Sequence, residues 1–361
     1  MRNRGLRTFL VAVVAALGCG TAQRTAPPLP AADADARALD DAGHDAGHDG
    51  GAVADAVAAH DADAAHPRLP VDAAPLRDAG HDADVDVERS LFVGDSFTYV
   101  NDLPATYQGL GAAVAHVAPV VNSVAYGGYT LAQHLADAQG TGPNPELESL
   151  LGRGDAARAH WSHVVLQEQS EIPGFDLRNP ERAASMASTV TLSGYVAATG
   201  ATSVLLMTWG YAEGDPANMA FFPDFNTMQW LLAIGYQQMA AAVAAAGHAV
   251  VIAPVGLAFQ AVYLGATATD AGGDPFAPTS LFMQLYETDL KHPAVPGTYL
   301  AACVVAATIY GVDPTTFSTT VPGIDTATVG VLQAAAKESF VMLSQLPPVS
   351  DAGIDASADA L

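Results

Sequence analysis

Leu91-Phe92-Val93-Gly94-Asp95-Ser96-Phe97 is the stretch of this chain that decides its fold. Three consecutive large apolar residues are typical of a strand that is buried on both faces of a parallel sheet. The glycine after them leads into a turn, and a helix beginning at that turn would place its N-terminus behind Ser96. Strand, turn and helix in this order predict the first half of a βαβ unit.

The same alternation continues through residues 88–346, which we interpret as one folded domain. Short apolar segments predict strands at residues 90–94, 120–125, 163–168, 203–209 and 249–253. Longer patterns predict helices near residues 103–117, 180–199, 226–246, 296–310 and 325–344, and Gly247 suits the C-terminal cap of the third helix. Parallel βαβ units with right-handed crossovers give a three-layer α/β/α sandwich around a five-stranded, mainly parallel sheet.

Ligands bind such sheets at the carboxyl ends of the strands, which is where Ser96 lies in this arrangement. A serine at this turn holds its hydroxyl out of the sheet edge, and the helix N-terminus behind it favours developing negative charge. A serine is also a good N-cap for a helix. Taken alone, Gly94-Asp95-Ser96-Phe97 leaves the nucleophile and the cap as open alternatives.

Residues 286–300 supply the groups that a serine nucleophile needs, since it requires a base, and the base an orienting acid. Asp289 and His292 lie three positions apart on a predicted tight turn. Among the six histidines of residues 88–346, only His292 has an acid beside it within such a turn. We expect His292 to be the base for Ser96. Asp289 either orients His292 or accepts its second ring hydrogen through a water molecule.

Four segments together resemble the SGNH/GDSL hydrolase superfamily. They are residues 91–104 (LFVGDSFTYVNDLP), 126–131 (YGGYTL), 164–170 (VVLQEQS) and 289–300, and they occur in the order of that family. The resemblance implies the flavodoxin-like fold of these hydrolases, with Ser96 as nucleophile and Asp289 and His292 completing a triad. It also implies an oxyanion hole formed by the backbone N–H groups of Ser96 and of Gly128, or of its neighbour Gly127.

The third segment departs from the family pattern, which usually has Gly-x-Asn-Asp with the Asn amide as a third oxyanion donor. Here strand residues lead into Gln167-Glu168-Gln169-Ser170. A register that starts after Leu166 places Gln169 at the Asn position, with the same amide donor one methylene farther out. Gln167 is the alternative donor. The segment is similar to a branch of the superfamily that has Leu-Gln-Glu-Gln-Ser in this place.

These residues predict a serine hydrolase that cleaves an O-acyl ester through an acyl-enzyme, on a small-molecule or glycan substrate. An acetyl group on a glycan is suggested by the resemblance and the expected location, not by the residues. The alternatives are an O-acyltransferase and a non-catalytic surface binding module on the same fold. Trp209, Tyr211 and Tyr126 follow strand ends and are candidates to line the cleft. No metal or cofactor motif is present, so neither a metal nor a cofactor is implied.

The first residues predict export. Three arginines precede a short apolar run at residues 9–17 and then Gly18-Cys19, so residues 1–18 are typical of a signal peptide. The run is shorter than the roughly 20 residues that span a bilayer, although a short transmembrane anchor is the alternative. Residues 16–19 resemble a bacterial lipobox, with Leu17 one place later than usual, so we expect lipidation of Cys19. Gly20 after it suits delivery to the outer membrane, in the periplasm or at the cell surface. The second cysteine, Cys303, lies in an apolar run, so no disulfide framework is evident.

Residues 19–87 are rich in Asp, Ala, His and Gly and predict a disordered tether. Between residues 20 and 87 there are fourteen Asp and four Arg, within a chain of net charge −24. The histidines of this segment can chelate a metal, but a solvated spacer is the simpler interpretation. Residues 347–361 repeat the composition and predict a disordered tail. No basic stripe is present, which excludes nucleic acid as a partner. The sequence gives no indication of the oligomeric state.

Overall fold

The computed structural model describes residues 87–152, 160–267, 273–318 and 321–349. The predicted signal peptide, the lipidation site at Cys19, nearly all of the tether and most of the tail lie outside these ranges. The predictions made for them therefore stay predictions.

Five parallel strands form the central sheet in the order β2-β1-β3-β4-β5. They are β1 (Arg89–Gly94), β2 (Val120–Ala125), β3 (His163–Leu166), β4 (Thr202–Leu206) and β5 (Val250–Ala253). The predicted α/β sandwich with a five-stranded sheet is confirmed. The sequence predicts a mainly parallel sheet, and in the structure every pair of neighbouring strands is parallel. All carboxyl ends consequently meet at one edge.

The five predicted helices are present within a few residues of their predicted bounds, and further helices lie between them. The helices are α1 (Ser96–Tyr99), α2 (Leu103–Ala115), α3 (Leu131–Ala138), α4 (Glu146–Leu150), α5 (Pro180–Ala198), α6 (Phe225–Ala245), α7 (Val255–Thr267), α8 (Leu281–Gln284), α9 (Val295–Tyr310) and α10 (Thr326–Gln345). Aspartate side chains cap the N-termini of α2, α6 and α10. Gly247 follows the C-cap of α6 with a φ of +82°, as a terminating glycine does.

Successive side chains of the three central strands, β1, β3 and β4, enter two separate cores. Phe92, Val165 and Val204 pack into one core with residues of α2, α7, α9 and α10. Leu91 and Val164 pack into the other core with residues of α3, α5 and α6. Full burial of such a side chain stabilises the fold by about 1.5–3 kcal/mol, which explains why the strands are apolar on both faces. None of the helices in the described ranges is both long and apolar enough to cross a membrane.

Candidate active site

Ser96 lies at the carboxyl edge of the sheet, directly after β1. It is the first residue of α1, and Asp95 caps this helix by accepting a hydrogen bond from the N–H of Phe97 at 2.8 Å. The Ser96 side chain is nearly buried, at 9% exposure. Its own N–H has no acceptor among the described residues. Because α1 has only four residues, individual N–H groups, not a summed helix dipole, can stabilise negative charge at this position.

A continuous line of hydrogen bonds joins Ser96 to His292 and Asp289. His292 Nε2 lies 2.8 Å from Ser96 Oγ, and His292 Nδ1 contacts Asp289 Oδ2. A carboxylate can only accept, so Nδ1 carries the hydrogen and Nε2 presents its lone pair to the serine hydroxyl. This is the arrangement in which a histidine acts as a general base.

Asp289 is held as a carboxylate by the turn that it begins. Its second oxygen accepts the backbone N–H groups of Lys291 and His292, both at 3.0 Å. Burial alone would raise the pKa of Asp289. The hydrogen bonds from the His292 ring and from the two N–H groups outweigh burial, and the pKa lies below its usual range. Asp289 is therefore ionised at neutral pH and can stabilise a protonated His292.

The loop that carries His292 is tied to the segment that follows Ser96. The amide of Asn101 donates to Glu287 Oε1 at 3.0 Å and to the carbonyl of Pro293 at 2.8 Å. Asn101 has a φ of 56°, in the left-handed region that asparagine tolerates better than most residues. Its side chain therefore helps to set the separation between the serine and histidine segments.

Trp209 also holds the loop that carries His292. Its ring is stacked between Phe97 at 4.4 Å and Phe259 at 4.6 Å, and its indole N–H donates to the carbonyl of Lys291 at 3.0 Å. The interpretation of Trp209 and Tyr211 as cleft-lining residues is wrong, because both are buried. Both residues follow β4 and belong to the hydrophobic core at the carboxyl edge of the sheet. Tyr126 is half-buried and packs edge-on against Tyr129.

Gln167 is fully buried and braces the nucleophile turn. Its carbonyl oxygen accepts the N–H of Asp95 and the hydroxyl of Thr98, both at 2.8 Å. Its amide nitrogen donates to Asp95 Oδ1 at 2.8 Å and to the carbonyl of Glu168 at 2.6 Å. Both amide hydrogens are engaged, so Gln167 has none left for a substrate.

Comparison with solved structures agrees with this architecture. A DUF4886 family protein from Bacteroides uniformis superposes with a TM-score of 0.56 at 17% identity, covering 73% of this chain and 98% of its own. A candidate SGNH hydrolase from Slackia heliotrinireducens is 27% identical with a TM-score of 0.46, covering 62% of this chain and 100% of its own. The acetylxylan esterase Axe2 from Geobacillus stearothermophilus is 16% identical with a TM-score of 0.40, covering 63% and 95%. The chain therefore shares its fold with the DUF4886 family protein.

No protein-family model matches the sequence, and a search of curated proteins gave no significant match. The resemblance to the SGNH/GDSL superfamily consequently rests on the order of the four sequence segments.

The N–H groups of Gly127 and Gly128 and the side-chain amide of Gln169 are the candidates for the other donors of the predicted oxyanion hole. Gly128 has a φ of +65° in the turn after β2, and neither its N–H nor that of Gly127 has an acceptor among the described residues. The Gln169 side chain is half-buried and donates to Ser170 Oγ at 3.3 Å, near the upper limit for a hydrogen bond. One of its amide hydrogens is thus free, and its role as a donor stays a prediction.

A group of charged residues beside the site was not predicted from the sequence. Asp215, from the loop after β4, lies 3.5 Å from Lys291 Nζ and accepts from Asn218 at 2.8 Å. Burial, and then the hydrogen bond and charge of Asp215, raise the pKa of Glu171 to about 7. Glu171 follows the third SGNH segment, and Lys291 precedes His292, but no sequence spacing links them to Asp215. Within the described ranges, no three or more His, Cys, Asp or Glu are placed to hold a metal ion.

Proposed function

We propose that this protein is a serine esterase that cleaves an O-acyl ester through an acyl-enzyme. The observation that carries the proposal is the hydrogen-bonded line from Ser96 Oγ through His292 to Asp289. The base is within hydrogen-bond reach of the nucleophile on one side and of the orienting acid on the other, which is the geometric requirement for this chemistry.

The reaction proceeds in two halves. Ser96 Oγ attacks the ester carbonyl carbon while His292 Nε2 takes the hydroxyl proton, and the carbonyl oxygen becomes an oxyanion. The N–H groups of Ser96 and Gly128 and the amide of Gln169 stabilise that oxyanion. The intermediate then expels the alcohol, which receives the proton from His292. A water molecule, deprotonated by His292, releases the acid from Ser96 by the same steps.

An acetyl group on a glycan is the substrate that we favour. Tyr99, at the end of α1 and 48% exposed, offers a flat aromatic face three residues after the nucleophile. A methyl group added at Gly127 would lie 3.2 Å from the Tyr99 hydroxyl, so this ring borders the turn that carries the proposed oxyanion donor. Aromatic faces of this kind pack against sugar rings, since they are apolar and bear a polar edge.

Hydrolysis of a short-chain nitrophenyl ester by the purified protein tests the proposal. We expect Ser96→Ala to abolish turnover and labelling by a phosphonate probe, and Ser344→Ala, an exposed serine on α10, to change neither. Labelling without hydrolysis, with activity appearing only when an acceptor alcohol is added, would indicate an acyltransferase. A folded protein that neither hydrolyses the ester nor reacts with the probe would overturn the proposal in favour of a binding module.

A further inference from the structure

Glu168 joins the two loops that carry the proposed oxyanion donors. Its side chain is completely buried, and one oxygen, Oε1, accepts the N–H of Gln169 at 2.8 Å and the N–H of Leu131 at 2.9 Å. Leu131 begins α3, three residues after Gly128. Gln169 is the proposed side-chain donor. A single carboxylate oxygen therefore fixes the spacing between the turn after β2 and the loop after β3.

Both N–H groups need this acceptor. The N–H of Leu131 belongs to the first turn of α3, where no carbonyl of the helix can accept it. Thr130 caps α3 by accepting a hydrogen bond from the N–H of Gln133, so the N–H of Leu131 needs a different acceptor. Because both N–H groups converge on one oxygen, a change in the position of that oxygen moves both loops together.

The surroundings of Glu168 make a purely stabilising role a poor explanation. Burial raises the pKa of its carboxyl, against the hydrogen bonds from the N–H groups of Leu131 and Gln169, which lower it. The buried Arg182 of α5 interacts with it electrostatically, and burial lowers the pKa of Arg182 to about 10, which leaves it charged at neutral pH. Arg182 donates to the carbonyl of Gly235 at 2.9 Å and not to Glu168. A buried carboxylate without a direct ion pair costs stability, so stability alone does not explain Glu168.

We propose that Glu168 is a positioning residue of the oxyanion hole, which acts by holding the Gly128 turn and the Gln169 loop at a fixed separation. This inference rests on the proposed esterase function. It differs from a role in ion pairing with Arg182, because it depends on the reach of the Glu168 oxygen and not on its charge.

Two conservative variants separate reach from charge. Glu168→Gln keeps the length and an accepting oxygen but loses the charge, whereas Glu168→Asp keeps the charge and withdraws the oxygen by one methylene. We expect Glu168→Gln to keep kcat within about fivefold, and Glu168→Asp to lower kcat by about 10²-fold with KM within about twofold, since small displacements of catalytic groups have effects of that size. The reverse order, with Asp tolerated and Gln impaired, would overturn the proposal.

Hydrogen exchange of the two amides gives a readout that does not need activity. In Glu168→Asp the N–H groups of Leu131 and Gln169 should exchange faster than in the native protein, while in Glu168→Gln they should stay protected. If the native protein cleaves no ester, the esterase proposal fails, but unchanged exchange in Glu168→Asp would separately overturn the positioning role. Failure of both variants to fold would make Glu168 a residue of stability alone, which also overturns it.

Discussion

Gln167 and Gln169 lie two positions apart in the same loop, in opposite environments. Gln167 makes four hydrogen bonds, three of them with Asp95 and Thr98 around the nucleophile turn, and is fully buried. Gln169 is half-buried and makes one long hydrogen bond through its amide nitrogen. A bound substrate can therefore recruit the amide of Gln169, whereas recruiting that of Gln167 would dismantle the turn that presents Ser96.

Gln169→Ala should lower kcat by about 10²–10³ with little change in KM, the usual effect of losing one oxyanion donor. Steady-state kinetics on a nitrophenyl ester measure both constants. Gln169→Glu keeps the length, loses the donor hydrogens and adds a negative charge that repels the oxyanion at neutral pH, so it should be impaired at least as much. A kcat for Gln169→Ala within about threefold of the native value would leave the oxyanion to the backbone N–H groups alone. Gln167→Ala does not identify the donor, since it should impair Ser96 directly.

At the scale of residues, the sequence alone predicts a site residue when the feature that identifies it lies nearby in the chain. Asp289 and His292 are predictable because they lie three positions apart, and Ser96 because it follows a strand. The roles of Gln167 and Asn101 depend on contacts between residues 72 and 192 positions apart, which no local pattern reveals. The prediction for Trp209 is wrong because a residue after a strand can face either the cleft or the top of the core.

At the scale of elements, three aromatic rings link the nucleophile helix to the base. Phe97 on α1, Trp209 after β4 and Phe259 on α7 form a nearly parallel stack, with angles of 3° and 4° between successive rings. Phe97 also meets the His292 ring edge-on at 5.6 Å. The position of the imidazole therefore depends on how three separate elements pack.

Trp209→Phe should keep most of the stack and remove the hydrogen bond to the carbonyl of Lys291. We expect it to destabilise the fold by about 1–3 kcal/mol, the cost of leaving such an acceptor unpaired, and to lower kcat about tenfold through displacement of His292. Denaturant unfolding and steady-state kinetics measure the two effects.

Trp161→Phe is the control for this variant. The Trp161 indole donates to the carbonyl of Leu150 at 2.7 Å, just before β3 and thus at the opposite edge of the sheet. It should cost similar stability and leave kcat unchanged. An equal loss of kcat in both variants would mean that Trp209 acts on stability only.

A helix or strand can be predicted from the sequence when its pattern of apolar residues differs clearly from that of the neighbouring segments. All five strands and helices α2, α5, α6, α9 and α10 agree with the sequence prediction within a few residues, because long apolar periodicities mark them. Helix α7 (Val255–Thr267) has no counterpart in that prediction, and its composition does not explain the difference, because α9 is equally apolar and was predicted. Helices α1, α4 and α8 have four or five residues each, too few for any periodicity.

At the scale of the whole molecule, the stability of this acidic domain should depend on pH through Glu171. Its pKa is raised from about 4.5 in a free side chain to about 7, and it faces Asp215, Asn218 and Lys291. A raised pKa means that the folded state binds a proton more tightly than the unfolded chain. The stability gained from this proton is complete below pH 4.5 and is lost as the pH rises through about 7.

We therefore expect the Tm to fall between about pH 5 and about pH 8, and to fall less in Glu171→Gln, which resembles the protonated side chain at every pH. Burial would raise the pKa of Asp215, but its hydrogen bonds, chiefly with Glu171 and Asn218, lower it below 3.8, so its effect lies at more acidic pH. Glu213→Gln, an exposed residue of the same loop, should leave the pH dependence of the Tm as it is in the native protein. Equal slopes for the native protein and Glu171→Gln would contradict this account.

The predicted tether should be dispensable for catalysis. Deleting residues 20–87 should leave kcat and KM within about twofold of the native values, because a disordered linker adds no ordered contacts to a site. Kinetics of the full and shortened proteins, with circular dichroism as the control for folding, check this. A large loss of activity in a folded deletion variant would show that the segment contributes to the active site.

The proposed lipid anchor makes a separate prediction. Cys19→Ser should release the protein from membranes or leave it with its signal peptide uncleaved, because serine cannot form the thioether to lipid. Fractionation of cells and the mass of the N-terminal peptide measure these outcomes. Attachment that persists in Cys19→Ser would contradict lipidation at this position.

Ser96 and His292 are 196 positions apart in the sequence, and this separation matters while the chain is being synthesised. A ribosome adds about 5–20 residues per second, so roughly 10–40 s pass between synthesis of the serine and synthesis of the histidine. During this interval the growing polypeptide has a nucleophile and no base. Under the proposed mechanism, a chain that stops before His292 has the nucleophile without its base and should not hydrolyse esters.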